Sequence, residues 1–191
     1  MVQKAVIEQE RQVNTYAGLG HAARCLRHTA TNVQEGSFYT EMSSLIFSAF
    51  TLEAYMNHVG DRLFPFWEEL DRLSYSKKLK IITMHLGIKP DASKRPYQTI
   101  KSLFRFRNSI AHGRSQILTP DPKITDVEDD MRNHEGPKTE WEEYCNIDNV
   151  NRAIEDVEQI ITEIHKAAGL GDYPMQDHGV TSRSMKALPD E

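Results

Sequence analysis

Residues 37–63 read SFYTEMSSLIFSAFTLEAYMNHVGDRL and carry the clearest helical pattern of the chain. Apolar side chains recur in this stretch at the spacings of three and four that place them on one side of an α-helix. They are Met42, Leu45, Ile46, Ala49, Phe50, Met56 and Val59. Ser37 follows Gly36 and is a suitable N-cap, and Pro65 prevents simple continuation of the helix. The pattern predicts one long helix that ends near Leu63.

The chain before this helix also shows helical spacing. Its apolar residues recur at intervals of three, four and seven: Val6, Val13, Tyr16, Ala23 and Leu26. We predict a helix from about Val2 to Thr29. Gly18 and Gly20 weaken its middle by about 1 kcal/mol each relative to alanine, which favours a bend there.

Further helical segments follow on the C-terminal side. They are a short amphipathic piece over Phe66–Leu73 and helices over Ser76–Leu86, Tyr97–His112 and Asp148–Ala168. Each of the three helices is followed directly by a glycine, at 87, 113 and 169. Glycine at this position commonly ends a helix, because it adopts the left-handed conformation without strain. The glycines therefore support the predicted C-terminal ends.

Two segments lack this periodicity. Residues 116–145 contain three prolines and an acidic stretch, Asp126–Asp130, and they predict a long irregular loop. A strand pair around Ile117 and Leu118 is only weakly indicated. Residues 171–191 are polar and predict a loosely held tail.

These segments together predict an all-α protein. The predicted architecture is an up-and-down four-helix bundle with extra short helices and a long irregular loop before the last helix. A length of 191 residues is typical of one domain, which we expect over residues 1–170. Hydrophobic residues make up 39% of the chain and charged residues 27%, a composition typical of soluble globular proteins. No apolar run approaches the roughly 20 residues that cross a bilayer.

Charge and cysteine content narrow the class of protein further. The net charge of −5 argues against a protein that coats nucleic acid non-specifically, because that binding is driven by a basic excess. The first residues, MVQKAVIEQERQ, are charged and have no apolar core, so we expect no secretory signal. Cys25 and Cys145 are too few for a disulfide scaffold. We therefore expect a cytoplasmic protein.

Two predicted helices carry polar residues on their apolar faces. Glu53 lies on the apolar face of the helix over residues 37–63, and Asn57 follows one turn later on the same face. Arg107 occupies the apolar face of the helix over Tyr97–His112. Because a buried charge is costly unless it is paired, we predict an ion pair between Glu53 and Arg107. A purely structural salt bridge between two helices is the simplest interpretation of such a pair.

Arg107 opens the heptapeptide RNSIAHG, residues 107–113. His112 lies about 140° around a regular helix from Arg107, so the two can face one cavity only if the helix ends at His112. Gly113 favours such an end, and Asn108 lies four residues before His112 on the same face. The heptapeptide thus combines a fixed cation, an amide and a group that titrates near neutral pH. Those groups can hold a phosphate and move a proton beside it.

The heptapeptide resembles the signature of HEPN domains, in which arginine, a polar residue that is often asparagine, and histidine follow in this order. Residues 48–59, SAFTLEAYMNHV, also resemble the long second helix of bacterial HEPN proteins. The likeness extends over most of residues 1–170 and is specific in these two stretches.

The resemblance implies a homodimer that brings two such motifs together in a cleft. It also implies a ribonuclease that needs no metal or other cofactor and leaves a 2′,3′-cyclic phosphate on RNA. By this analogy His112 is the general acid or base at the ribose 2′-OH and the leaving oxygen, and Arg107 holds the scissile phosphate. Asn108 orients His112 or the phosphate. Glu53 holds the guanidinium of Arg107 in position without contacting RNA, and Asn57 has the same supporting role.

The family also implies a defence or toxin–antitoxin role, often with an antitoxin as partner. Many of its members stand beside a nucleotidyltransferase that modifies a tyrosine two residues after the histidine. This chain has Arg114 at that position, which puts this form of neutralisation in doubt.

Other interpretations stay open. Arg105 also fits a looser form of the HEPN signature, with six residues between the arginine and His112. The helices can form a catalytically silent module that acts through dimerisation or partner binding, or a cationic pocket that senses a small nucleotide. His21, Cys25 and His28 share a helix face as zinc ligands would, but their spacing matches no zinc motif. We interpret that face as a helix surface with a buried thiol and assign no metal site.

Overall fold

The computed structural model describes residues 4–121, 124 and 136–188. Within this part the main elements are β1 (Ala5–Arg11), α1 (Thr15–Asn32), α2 (Ser37–Leu63), α3 (Tyr75–His85), α4 (Tyr97–Ala111), α5 (Glu140–Tyr144), α6 (Ile147–Ala167) and β2 (Thr181–Ala187). Short 3-10 helices lie at Trp67–Leu70 and Pro174–Gln176. Most of the described chain is helical, and the two strands form one small antiparallel sheet.

The long helix α2 lies at the centre and packs against α1, α3, α4 and α6. Its fully buried apolar residues are Leu45, Ala49, Leu52, Tyr55, Met56 and Val59. The apolar stripe of α6, from Val150 to Ile164, packs on the same core. Burying one such side chain contributes about 1.5–3 kcal/mol, so this shared core holds the helices together. No helix in the described ranges is long and apolar enough to cross a membrane.

The predicted helices on either side of the irregular loop are confirmed. The bounds of α2 match the prediction, and α3, α4 and α6 begin and end within one residue of theirs. Gly87 and Gly169 both adopt φ +70°, as expected of residues that end a helix, whereas Gly113 follows the end of α4 without a positive φ. The capping prediction for Ser37 is wrong, because Gly36 at φ +73° occupies the N-cap position and Ser37 is the first helical residue.

The predicted helix from Val2 to Thr29 is wrong in its first half. The described chain is mostly helical, as predicted, and also has one small two-stranded sheet that the prediction of an all-α protein did not include. Residues Ala5–Arg11 form β1, and α1 begins only at Thr15. The strand pairs with β2 in an antiparallel register that sets Ala5 opposite Ala187 and Arg11 opposite Thr181. Because its partner strand lies 170 to 182 residues away, local periodicity gave no sign of the strand.

The segment predicted as a loosely held polar tail is attached to the helices at several points. Pro174 is buried, and Met175 packs on Gly20 so closely that a Cβ there would collide with it. The Asn14 side-chain amide donates to the Asp177 carbonyl at 3.1 Å. Gly179, at φ +97°, lets the backbone approach Gln12 before β2 begins. These contacts join both ends of the chain to α1.

The irregular segment is only partly described. Ile117 and Leu118 belong to no strand in the described chain, and the acidic stretch Asp126–Asp130 lies outside the described residues. The segment ends in α5, which was not predicted. Thr139 and Glu142 form a reciprocal capping box at its start, and this pattern of a threonine followed three residues later by a glutamate was the missed signal.

A buried cluster of aromatic and histidine side chains joins α1, α2 and α6. The Tyr55 hydroxyl lies 3.1 Å from His165 Nδ1, and the Tyr16 ring packs edge-on to Tyr55 at 5.1 Å between centroids. The His58 ring lies 4.8 Å from Tyr16. Burial lowers the pKa of both His58 and His165 below the ordinary value.

We expect the protein to lose stability as the pH falls below about 6.5, the ordinary pKa of histidine. Because His58 and His165 have a lower pKa when folded, the unfolded chain binds protons first and is stabilised by them. The urea midpoint of unfolding at pH 7.5 and 5.5 measures the effect. His58→Gln should reduce the pH dependence, whereas His28→Gln, at an exposed position on α1, should leave it unchanged. Equal reduction by both variants would contradict the assignment.

Two helical glycines provide a matched test of the packing. Gly60 lies against the Trp67 ring, where a Cβ would collide with the indole, whereas Gly18 faces open space. Gly60→Ala should destabilise the fold by about 1–3 kcal/mol through overpacking. Gly18→Ala should stabilise it by about 0.5–1 kcal/mol, because alanine is the better helix former. Urea denaturation of the two variants measures both changes, and a shift of the same sign in both would refute the described packing around Trp67.

Candidate functional site

The ion pair predicted between Glu53 and Arg107 is confirmed and joins α2 to α4. Arg107 Nη2 donates to Glu53 Oε2 at 3.1 Å. The exposed fraction is 27% for the Arg107 side chain and 30% for Glu53. Because neither group is fully removed from solvent, the pair does not close the guanidinium off from a ligand.

The other groups around Arg107 hold the guanidinium in one orientation. Nη1 donates to Asn108 Oδ1 at 3.1 Å, and the guanidinium carbon lies 5.6 Å from the centroid of the Phe50 ring. Nε is buried and has no hydrogen-bond acceptor among the described residues. An arginine offers five N–H donors, so one donor on each of Nη1 and Nη2 remains for an anion on the exposed side.

His112 lies where α4 ends. Ala111 is the last helical residue, and the His112 backbone N–H still donates to the Asn108 carbonyl at 3.0 Å. The imidazole is exposed and forms no hydrogen bond or ion pair with any other described residue. The helix therefore ends where the predicted geometry requires.

Asn57 belongs to a different group of side chains from Arg107. Its Oδ1 accepts a hydrogen bond of 2.8 Å from Lys78 Nζ, and the same ammonium lies 3.2 Å from Asp71. Lys78 comes from α3 and is almost completely buried. Asn57 thus satisfies a buried lysine, whereas Glu53, one turn earlier, meets α4. The sequence analysis did not identify Lys78, since the helical pattern of α3 does not show which helix its lysine meets.

Arg105, the alternative arginine of the motif, has a different environment. Its Nη2 lies 2.7 Å from Glu140 Oε2 at the start of α5, and both side chains are largely exposed, at 75% and 80%. An ion pair this exposed contributes little to stability and is readily replaced. Arg105 is therefore available to a ligand but is not held in one orientation as Arg107 is.

The histidines and cysteine of α1 do not form a metal centre. Cys25 Sγ lies 3.5 Å from His21 Nε2, and Cys25 is exposed, so the expectation of a buried thiol at this face is wrong. The buried cysteine is Cys145, whose pKa is raised to about 12 by burial. Within the described ranges, no group of three or more histidine, cysteine, aspartate or glutamate side chains is placed to hold a metal ion.

Comparisons with protein-family models, with curated proteins and with solved structures found no match. The function is therefore inferred from the chemistry of α4 and the side chains around it, together with the likeness of residues 107–113 to the HEPN motif.

A double-mutant cycle can measure the coupling between Glu53 and Arg107. We expect Glu53→Gln and Arg107→Gln to show a coupling of about 0.5–1 kcal/mol, because the pair is partly shielded from solvent. The matched control is the exposed pair of Arg105 and Glu140, whose coupling should be smaller, near zero. Urea denaturation of the single and double variants gives both values, and a larger coupling for the exposed pair would contradict the described geometry.

Proposed function

We propose that this protein is a metal-independent endoribonuclease with Arg107 as phosphate-binding residue and His112 as acid–base residue. One observation carries the proposal. α4 presents a guanidinium fixed by Glu53 and Asn108 and, five residues on, an exposed imidazole that no described side chain holds. A fixed guanidinium and an exposed imidazole near the same helix end are suited to phosphate chemistry, and the likeness to the HEPN motif supports RNA as the substrate.

The proposed reaction is an internal transesterification. A ribose 2′-oxygen attacks the adjacent phosphorus, and the bond from phosphorus to the 5′-oxygen of the next nucleotide breaks. His112 either removes the proton from the 2′-OH or protonates the leaving 5′-oxygen, and such catalysis contributes about 10²–10⁴-fold. Arg107 stabilises the negative charge that grows on the phosphoryl oxygens. The products are a 2′,3′-cyclic phosphate and a 5′-hydroxyl.

A homodimer belongs to the same proposal. The reaction needs one group to take a proton and another to give one, and each chain supplies one His112. Two copies that face each other across a cleft would supply both, as the HEPN resemblance implies. We further propose cytoplasmic action in a defence or toxin–antitoxin system, where an antitoxin would restrain cleavage of cellular RNA.

A catalytically silent binding module is the second candidate. It is favoured by Phe50, an apolar side chain on α2 that is 37% exposed beside the Glu53–Arg107 pair. In this alternative the pair has a structural role, and the surface around Phe50 binds a partner protein. The two candidates differ in whether His112 is needed for any chemical step.

Cleavage of mixed-sequence single-stranded RNA in the presence of EDTA tests the proposal. We expect the wild type to produce cyclic phosphate ends. His112→Ala should reduce the rate at least about 100-fold, in line with the loss of a general acid or base. Arg107→Ala should also abolish most activity, whereas Arg107→Lys should retain part of it, because it keeps the charge but loses the planar fork of donors. His28→Ala, at an exposed histidine on α1, is the matched control and should cleave normally.

The other outcomes separate the candidates. Equal cleavage by the wild type and His112→Ala would identify a contaminating ribonuclease and remove the support for the enzyme. No cleavage by any variant, with a stable dimer in solution, would favour the binding module. Circular dichroism of each variant establishes that a lost rate does not reflect a lost fold.

A further inference from the structure

α4 has a second face that the proposed catalytic residues only partly use. Gln98, Ser102, Arg105, Ser109 and His112 follow each other at spacings of four, three, four and three, so they form one stripe along the helix. All five are exposed. At 1.5 Å per residue the stripe is about 21 Å long, and it ends at His112. Arg107 lies on a different side of the helix, against α2.

A cavity of about 360 Å³ lies along this stripe between α4 and α5. Ser102, Arg105 and Ser109 line it from α4, and Trp141 and Tyr144 line it from α5. Its volume lies at the lower end of the range for small-ligand sites. The cavity thus combines hydroxyl groups, a guanidinium and two aromatic side chains.

A second cavity, of about 150 Å³, adjoins the first. Ser102 and Tyr144 line both cavities, and the second extends to Gln98 on α4 and to Asn149 and Arg152 on α6. The two cavities share this wall, and together they are here called the α4–α5 cleft. It follows the α4 stripe from Gln98 to Ser109, one turn before His112.

Three arginines line the cleft, and they differ in how firmly carboxylates hold them. Arg152 is exposed and forms no hydrogen bond or ion pair with another described residue. Arg105 is held only by the exposed Glu140, which an anion can replace at little cost. Arg95 also lines the cleft, but Asp156 and Glu155 already bind its guanidinium. Two of the three arginines are thus available to phosphate groups, on a chain whose net charge is −5.

The aromatic wall is positioned to stack a base. The Phe106 and Tyr144 rings pack against each other at 5.2 Å between centroids, and Trp141 is supported by Phe38 at 6.2 Å. Trp141 and Tyr144 remain partly exposed toward the cleft. Proteins that bind single-stranded nucleic acid combine such stacking surfaces with cations that follow the backbone.

We propose that the α4–α5 cleft binds single-stranded RNA and leads it to His112. Trp141 stacks on a base, and Arg105 and Arg152 bind phosphates along the α4 stripe. The proposal rests on the ribonuclease function and adds a substrate track on the side of α4 away from Arg107. Two adjoining cavities along about 16.5 Å of the stripe favour a chain of nucleotides over a single one.

Binding of a fluorescein-labelled 2′-O-methyl RNA to the full-length wild type tests the track. This probe lacks the attacking hydroxyl, so binding is measured whether or not the protein cleaves RNA. RNA binding should quench tryptophan fluorescence in the wild type but not in Trp141→Phe, which still binds the probe through weaker stacking. Trp141→Leu should bind with a Kd about tenfold higher than that of the wild type. Arg152→Ala should lower the slope of log Kd against log salt by about 0.7, the value for one phosphate on a single strand. Arg72→Ala, at an exposed position outside the cleft, is the control and should bind as the wild type does.

The outcomes separate this proposal from the proposed function. If the wild type cleaves RNA with a KM that Trp141→Leu and Arg152→Ala leave unchanged, the enzyme stands and the track is refuted. If Arg107→Ala weakens binding and neither cleft variant does, RNA enters from the α2 side. If adenosine monophosphate binds as tightly as the RNA, the cleft is a mononucleotide site. If the wild type neither binds nor cleaves RNA, both proposals fail.

Discussion

Burial of α2 among α1, α3, α4 and α6 is the constraint on which the rest of the structure depends. Leu45, Leu52, Met56 and Val59 are completely removed from solvent by these neighbours, and each contributes about 1.5–3 kcal/mol. This packing fixes the rotation of α2 about its own axis. Glu53 is then directed at α4, because it lies on the side of α2 that is only partly covered. The orientation of Arg107 follows from the position of Glu53.

Because side chains point in different directions around a helix, the two arginines of α4, Arg105 and Arg107, have different environments. Arg107 lies beside the buried side of α4 and meets a carboxylate and the Phe50 ring, so its guanidinium is held still. Arg105 lies two residues earlier, about 200° around the axis, and faces the cleft with an exposed partner. Arg107 is therefore suited to positioning charge in a transition state, whereas Arg105 is suited to exchanging one anion for another. His112 lies at the end of this helix, and its side chain is exposed.

The acidic net charge is compatible with an RNA substrate because charge acts locally. The Debye length is about 8 Å at physiological ionic strength, so distant carboxylates affect a phosphate in the cleft only weakly. Arg105 and Arg152 lie directly on the cleft. The proposed track therefore concerns a short segment of RNA at a defined place and not general coating of RNA.

Local sequence determined the helices, and tertiary structure decided what they bring together. The bounds of α2 and the glycines that end α3 and α6 were predicted, because apolar periodicity and helix-ending glycines act within a few residues. The pairing of Glu53 with Arg107 was predicted although the two lie 54 residues apart, because each is a charge on an apolar helix face and needs a partner. β1 was missed because its partner, β2, lies at the other end of the chain. Asn57 was predicted to support Arg107 and instead binds Lys78, since a helical pattern gives the face of a residue but not the neighbouring helix that covers it. For the same reason, only the tertiary structure shows that Trp141 and Tyr144 lie beside the polar stripe of α4. Contacts between distant segments depend on how the helices pack around their shared core, and the sequence of one segment does not show this packing.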